Sequence, residues 1–411
     1  MEFSSLHFSP EIQQAIKSCG YRQMTPIQAQ AMVPASRGKD LLACAQTGTG
    51  KTAAFTLPLL QRMQDAAKVT EAEGRSPQML ILTPTRELAE QLAKTVSQYA
   101  QFLPFKTLAV FGGVKIDKQA TKLQSGVDIL IATPGRLLEL VTQCHTHLSQ
   151  VKFVVLDEAD RMLDMGFVND VYTLLKGTAK QRQTLLFSAT LSGDVSALAH
   201  KLLHNHQEIR VDKANSTANT VEHTVYAIEE KQKIRLFNEL LEEYNWYQVL
   251  VFTSTKQQAD ALLESLKKQK VPAAICHGDK TQGARRRALA DFSSAKIQVL
   301  IATEVAARGL DIQGLEYVVN YNLPFLAEDY VHRIGRAGRA GNKGYAISLV
   351  SREEERALDA IQRLIGQKIK RINRHQYTAN NRRSLVEKIE RGKRLNKKNK
   401  ASQTVIKKGG R

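Results

Sequence analysis

Short, unbroken apolar runs recur through the first half of the chain at residues 41–45, 79–82, 129–132, 153–156 and 184–187, each closed by a polar or Gly/Pro turn. Runs of that length without alternation suit strands buried on both faces, as in a parallel sheet. Between them lie longer stretches with helical spacing, such as residues 87–99 and 193–203. Strand and helix therefore alternate, which predicts an α/β doubly wound domain. The rhythm restarts after about residue 222, with strands predicted at 249–253, 273–276, 299–302, 317–320 and 345–350 and a helix at 257–269. Residues 211–220 are polar and aperiodic and read as a linker. Past Gly366 the apolar periodicity fades into Lys, Arg and Asn. The expected organisation is a first domain over 1–210, a linker over 211–222, a second domain over 223–366 and a disordered basic tail over 367–411.

Charge sharpens that division. The 411 residues carry a net charge of +19, and 16 Lys and Arg against two acids lie in 367–411, so that segment alone holds a surplus of 14. A concentrated basic arm is suited to a polyanion, and nucleic acid is the favoured partner. A hydrophobic content of 43% without a bilayer-length apolar run describes a soluble globular chain with no membrane partner. Met1-Glu2-Phe3-Ser4-Ser5 has neither a basic nor an apolar leader region, which points to the cytoplasm. Cys19, Cys44, Cys144 and Cys276 are far apart, without metal-ligand spacing, and read as buried thiols in a reducing compartment. His200, His204 and His206 lack neighbouring ligands and predict no metal site.

The strongest chemical signal is Ala45-Gln46-Thr47-Gly48-Thr49-Gly50-Lys51-Thr52, which follows a predicted strand and opens a predicted helix. Glycines there let several backbone N–H groups face one anion at a helix N-terminus. Lys51 would neutralise the β- and γ-phosphates of a nucleotide, and the Thr52 hydroxyl would ligate Mg²⁺. The strand at 153–156 ends in Asp157-Glu158-Ala159-Asp160, which places carboxylates at the crevice where open α/β sheets bind ligands. Asp157 is the candidate Mg²⁺ partner, and Glu158 the residue that orients or deprotonates the attacking water.

Asp157-Glu158-Ala159-Asp160 spells the signature of the DEAD-box RNA helicases of superfamily 2, and the chain resembles that family over residues 1 to about 366. Residues 20–28 resemble its Q motif, in which Gln28 would read the adenine edge, and Phe3, well upstream, resembles the aromatic that stacks on that base; Met24 stands where the family usually has Pro. Pro84-Thr85-Arg86, Gly112-Gly113 and Thr133-Pro134-Gly135-Arg136 resemble RNA-contacting motifs of the first domain, and turns of this kind hold phosphates without reading sequence. Ser188-Ala189-Thr190 resembles the motif that couples the nucleotide site to RNA through hydrogen bonds with the acidic motif.

The second half has no phosphate loop, so it is expected to complete the site across a cleft rather than bind ATP by itself. Residues 332–339 resemble family motif VI, with His332 contacting the acidic motif and Arg336 and Arg339 as arginine fingers. A phosphate-binding stripe is the alternative role for these arginines. Thr303 resembles a phosphate contact and Asp311 a ribose contact, while Glu304 departs from the usual Asp. Gly278 and Arg285 resemble a further RNA motif.

The resemblance implies two tandem RecA-like domains, ATP and Mg²⁺ as cofactors, and RNA-dependent ATP hydrolysis with local unwinding of short duplexes or remodelling of ribonucleoproteins. An ATP-gated RNA clamp is the alternative, and a DNA translocase and an inactive RNA binder are less favoured. The short core and basic tail look like the bacterial RhlE-like subgroup, with ribosomal precursors or mRNA-decay machinery as possible settings by analogy.

Overall fold

The structure, a computed structural model, describes residues 2–46, 48–67, 76–211, 221–307, 312, 314–338 and 343–374. These fall into two compact units, one around each of two seven-stranded sheets. The first sheet comprises β1 (Leu41–Cys44), β2 (Met79–Leu82), β3 (Thr107–Val110), β4 (Ile129–Ala132), β5 (Phe153–Leu156), β6 (Gln183–Ser188) and β7 (Gln207–Arg210). Its strands are all parallel, in the order β3-β4-β2-β5-β6-β1-β7. The five interior strands are buried on both faces, as their unbroken apolar runs require. Alternate side chains feed opposite layers: Leu41, Ala43, Met79 and Ile81 pack with Ile27 and Phe55, whereas Leu42, Leu80 and Leu82 pack with Val171 and Leu198.

The second sheet comprises β8 (Val221–Ala227), β9 (Val249–Thr253), β10 (Ala273–Cys276), β11 (Val299–Thr303), β12 (Tyr317–Asn320), β13 (Gly344–Val350) and β14 (Lys370–Ile372). It too is parallel throughout, in the order β10-β11-β9-β12-β13-β8-β14. Numbered from its own first strand, this order is identical to that of the first sheet. Side chains cap many of the helices, as where Ser9, Thr85, Ser192 and Thr255 each accept from the N–H three residues on.

Three expectations need correction. Strand β8 begins at Val221, so the linker expected to run to 222 overlaps it; residues 212–220 lie outside the described residues. The tail expected from 367 starts later, because β14 pairs with β8, Arg371 salt-bridges Glu355 at 2.5 Å and Arg374 salt-bridges Glu243. Residues 375–411 lie outside the described residues. Of the four cysteines only Cys276 is buried, and Cys144 is exposed in a turn with φ of 58°. Among the described residues no helix is long and apolar enough to cross a membrane.

Candidate active site and nucleic-acid interface

Strand β1 delivers the chain into the phosphate loop, which turns at 45–50 and opens the helix Lys51–Ala67. Gly48 and Gly50 adopt φ of +79° and +94°, which glycine enters without strain. Thr49 Oγ1 donates to the Gln46 carbonyl at 2.7 Å, and Ala45 N–H donates to the Ser188 carbonyl at 3.0 Å. Thr47 lies outside the described residues. Lys51 is buried, 3.9 Å from Asp157 Oδ1, and its ammonium has no hydrogen-bond acceptor among the described residues. A buried ammonium left without an acceptor is costly, and an anion at this helix start would relieve it. Thr52 is half-buried one residue further on.

Gln28 lies against this loop. Its Nε2 donates to the Gly50 carbonyl at 3.1 Å, and its Oε1 accepts from Thr25 N–H at 2.9 Å. A β-carbon on Gly50 would stand 2.4 Å from Gln28 Nε2, so the glycine is required by close approach as well as by φ. The amide retains a second N–H and a second lone pair for a base edge. Phe3 is buried and stacks on Tyr21 with centroids 5.9 Å apart. Met24, the departure from the family's Pro, is a buried member of the apolar layer.

The carboxylates follow β5. Glu158 has φ 55° and ψ 52°, the left-handed region that a residue with a β-carbon occupies at a cost on the order of 1–3 kcal/mol. Asp157 Oδ1 accepts from the Glu158 N–H at 3.1 Å. Burial pushes the Asp157 carboxyl above its usual range, the Lys51 ammonium and the Glu158 N–H oppose that, and Asp160 adds to it. A buried carboxylate and a hydroxyl such as that of Thr52 are oxygen donors of the kind a divalent cation takes.

Asp160 is the functional residue that sequence reasoning left off its site. Its Oδ2 accepts from Ala189 N–H at 3.1 Å, Thr190 N–H at 3.0 Å and Thr190 Oγ1 at 3.1 Å. The coupling triplet is thus tied to the acidic motif through its fourth residue. Ser188 is fully buried at the end of β6.

Among the RNA-contacting candidates, Thr85 and Thr133 are N-caps of the helices Arg86–Tyr99 and Pro134–Thr142, with Pro84 in the turn after β2 and Gly135 in the first turn of the second helix. Such helix starts present free N–H groups. Arg86 lies over Gly112 and Gly113: a β-carbon on Gly113, whose φ is +81°, would come within 1.9 Å of Arg86 Nη1. Arg136 is engaged with protein, its Nη1 donating to the Val114 carbonyl and Gln119 Oε1, both at 3.0 Å, and its Nε to Glu139 at 2.9 Å. It braces the loop after Gly113 rather than presenting a free fork.

In the second unit, Thr303 ends β11 and Glu304 opens the helix Glu304–Ala307. Glu304 accepts from both Nε and Nη2 of Arg333, at 2.6 and 2.5 Å. Arg333 is buried, donates Nη1 to Asn320 Oδ1 at 3.1 Å and to the Asn322 carbonyl at 2.7 Å, and sits 4.8 Å from the Phe252 ring centroid. This second residue missed in sequence joins β9, β12 and the start after β11 to the helix Ala327–Ile334, which carries His332. Arg336 is buried just beyond that helix. Gly278 is exposed after β10, and Arg285 lies on the helix Gln282–Ser293. Arg339 and Asp311 lie outside the described residues.

Comparison with known proteins identifies the family. Residues 25–198 match the DEAD/DEAH box helicase family and residues 232–341 the helicase conserved C-terminal domain. The ATP-dependent RNA helicase RhlB of Pseudomonas syringae is 39% identical over 370 residues, covering 89% of this chain and 93% of the relative. DEAD-box ATP-dependent RNA helicase 20 of Arabidopsis thaliana is 40% identical, covering 84% and 69%. The structure of S. cerevisiae Dbp5 bound to RNA and ADP BeF3 matches with a TM-score of 0.80 at 31% identity, covering 94% of this chain and 99% of that one. These relatives support the family and not the RhlE-like subgroup. Both family domains are matched in order, and the acidic strand end, coupling triplet and phosphate loop follow the adjacent strands β5, β6 and β1: the chain belongs to the DEAD/DEAH box helicase family and is an ATP-dependent RNA helicase.

Proposed function

We propose that the chain spends ATP on local, non-processive parting of short RNA duplexes and on remodelling ribonucleoproteins. The observation that carries this is the Lys51 ammonium, buried without an acceptor 3.9 Å from Asp157 at the N-terminus of a helix. That arrangement suits a bound triphosphate. Backbone N–H groups of 45–52 and Lys51 would hold the phosphates, while Gln28 and Phe3 would hold the adenine. Thr52 and Asp157 would hold Mg²⁺, which neutralises charge on the β- and γ-phosphates. Glu158, fixed by its left-handed backbone, would orient the attacking water and take its proton.

Arg336 and Arg339 would stabilise charge developing on the γ-phosphate, with His332 and Asp311 as supporting contacts. Thr85, Arg86, Gly112, Gly113, Thr133, Gly135, Gly278, Arg285 and Thr303 would hold RNA phosphates, which gives grip without sequence preference. Asp160, bonded to Ala189 and Thr190, would carry the change of nucleotide state to the RNA side. Binding of ATP and of RNA would then favour each other. Structured cytoplasmic RNAs, including ribosomal precursors and messages in decay, fit such a substrate class.

The test is RNA-stimulated ATP hydrolysis. Glu158→Gln keeps ATP and RNA binding and loses turnover, whereas Lys51→Ala weakens nucleotide binding itself. Wild-type turnover by Glu158→Gln would remove Glu158 from the mechanism.

A further inference from the structure

The shared strand order gives the second sheet a counterpart of the nucleotide crevice. In the first sheet β1 lies beside β6, and the helix after β1 starts at Lys51; in the second, β8 lies beside β13, and the helix after β8 starts at Lys233. The connecting segments are of similar length, 45–50 in one and 228–232 in the other. Lys233 is completely buried, and no part of the proposed mechanism uses it. Its environment differs from that of Lys51 in one respect: its ammonium is already bonded, to Glu354 Oε2 at 2.6 Å and to Glu230 Oε2 at 2.8 Å.

Glu354 does more than neutralise the lysine. Its Oε1 accepts from Leu323 N–H at 2.9 Å, after β12, and its Oε2 accepts from Ser351 N–H at 2.9 Å, after β13. A carboxylate that takes one ammonium and two backbone N–H groups at strand ends receives the kind of bonds a phosphate takes in a phosphate loop. A cavity of about 1000 Å³ opens beside it, lined by Ala227 and Val350 at the ends of β8 and β13 and by Asn322 after β12. There is room for a polyphosphate, but five glutamates against two cationic side chains line the walls.

We infer that Glu354 is a built-in substitute for phosphate at the second sheet, and that it, seconded by Glu230, excludes nucleotide phosphates from a crevice whose topology would otherwise admit them. Lys233 with its two carboxylates carries net negative charge, so an incoming polyanion meets repulsion and finds its donors taken. One nucleotide per chain is then a consequence of two side chains as well as of a missing glycine loop.

The test uses the full chain with Lys51→Ala in every sample to silence the first site, and inorganic pyrophosphate as the probe. This background rests on the proposed role of Lys51, but the readout, melting temperature and calorimetric binding, needs no ATPase activity. Glu354→Gln removes the charge and keeps an acceptor oxygen for one of the two backbone N–H groups, those of Leu323 and Ser351. At pyrophosphate near 100 times its Kd, a rise of about 5 °C is expected for this variant, with none for the parent. Adding Lys233→Met abolishes the response. Glu230→Gln touches no backbone bond and gives a smaller response of the same sign, so the test survives if Glu354→Gln fails to fold. Equal responses of parent and variants, no response from either variant, or a response that outlasts Lys233→Met would overturn the proposal.

Discussion

Two sheets of the same chain share one strand order, yet only one ends in a phosphate loop. After β1 the chain spends glycines at 48 and 50 and leaves Lys51 buried without an acceptor; after β8 it has no glycine, and Lys233 is bonded to two carboxylates. In both units a lysine opens the α-helix that follows the first strand. What distinguishes a nucleotide site from a structural ion pair is whether the chain supplies the lysine's hydrogen-bond acceptors. Fold and function separate within a handful of residues.

On the proposed mechanism the second unit would share in hydrolysis and add little to nucleotide affinity, and Arg336 tests that division most severely. Arg336→Ala is expected to slow ATP turnover by on the order of 10³-fold or more, as loss of an arginine finger does in other nucleotide hydrolases. ATP affinity, set by 45–52 and Gln28, should stay near that of the parent. Single-turnover hydrolysis beside equilibrium nucleotide binding separates the two. Weakened RNA affinity with unchanged turnover at saturating RNA would instead assign Arg336 to a phosphate stripe.

The two sheets also differ in how much of them was legible. Unbroken apolar runs revealed ten strands, including every central one of the first sheet, because a strand covered on both faces has no polar side to interrupt it. Both edges of that sheet escaped the same reading. β3 is only half-buried along most of its length, and β7 exposes Gln207, Glu208 and Arg210. In the second sheet β8 mixes buried and more exposed positions and went unread as a strand, its first two residues passing for linker, while β14 is Lys-Arg-Ile and passed for tail. The phosphate loop and the acidic strand end were legible because their chemistry is local in sequence. Asp160, Glu304 and Arg333 were not, since their roles lie in partners 29 or 30 residues away along the chain.

Gly113 shows the same limit in the RNA-contacting motifs and offers a sharper test of the first unit. Its side chain must be absent for Arg86 to lie where it does, a requirement invisible in a pair of glycines. Gly113→Ala should displace Arg86 and weaken RNA binding by roughly tenfold, in the range of overpacking costs of about 1–3 kcal/mol. Gly166→Ala is the matched control, because Gly166 shares a positive φ of +76° but a β-carbon there would meet nothing within 4 Å. Equal RNA affinities for the two variants would mean that backbone strain, and not the Arg86 contact, is what the glycine serves.

The smallest effect expected concerns the basic segment beyond the second sheet. Lys368, Lys370, Arg371 and Arg374 belong to the described fold, and Arg371 and Arg374 are ion-paired, which leaves 12 Lys and Arg against two acids in 375–411. A truncation meant to remove only the arm must therefore end at Arg374; one ending at Gly366 would strip β14 from the sheet and confound stability with binding. The arm matches none of the nucleotide-site motifs, so it should act as a sequence-indifferent tether that raises the local concentration of RNA. For single strands log K falls with log salt by about 0.7 per phosphate neutralised, and about four simultaneous contacts would steepen the slope by about 2.8. The chain ending at Arg374 should bind RNA more weakly at low salt, with that much shallower a salt dependence, and converge on the full chain at high salt. Its ATPase rate at saturating RNA should be unchanged. RNA titrations of both chains across salt, with ATPase alongside, measure all of this: identical slopes would rule out the tether, and a collapsed rate at saturating RNA would show that residues 375–411 act on the catalytic units themselves.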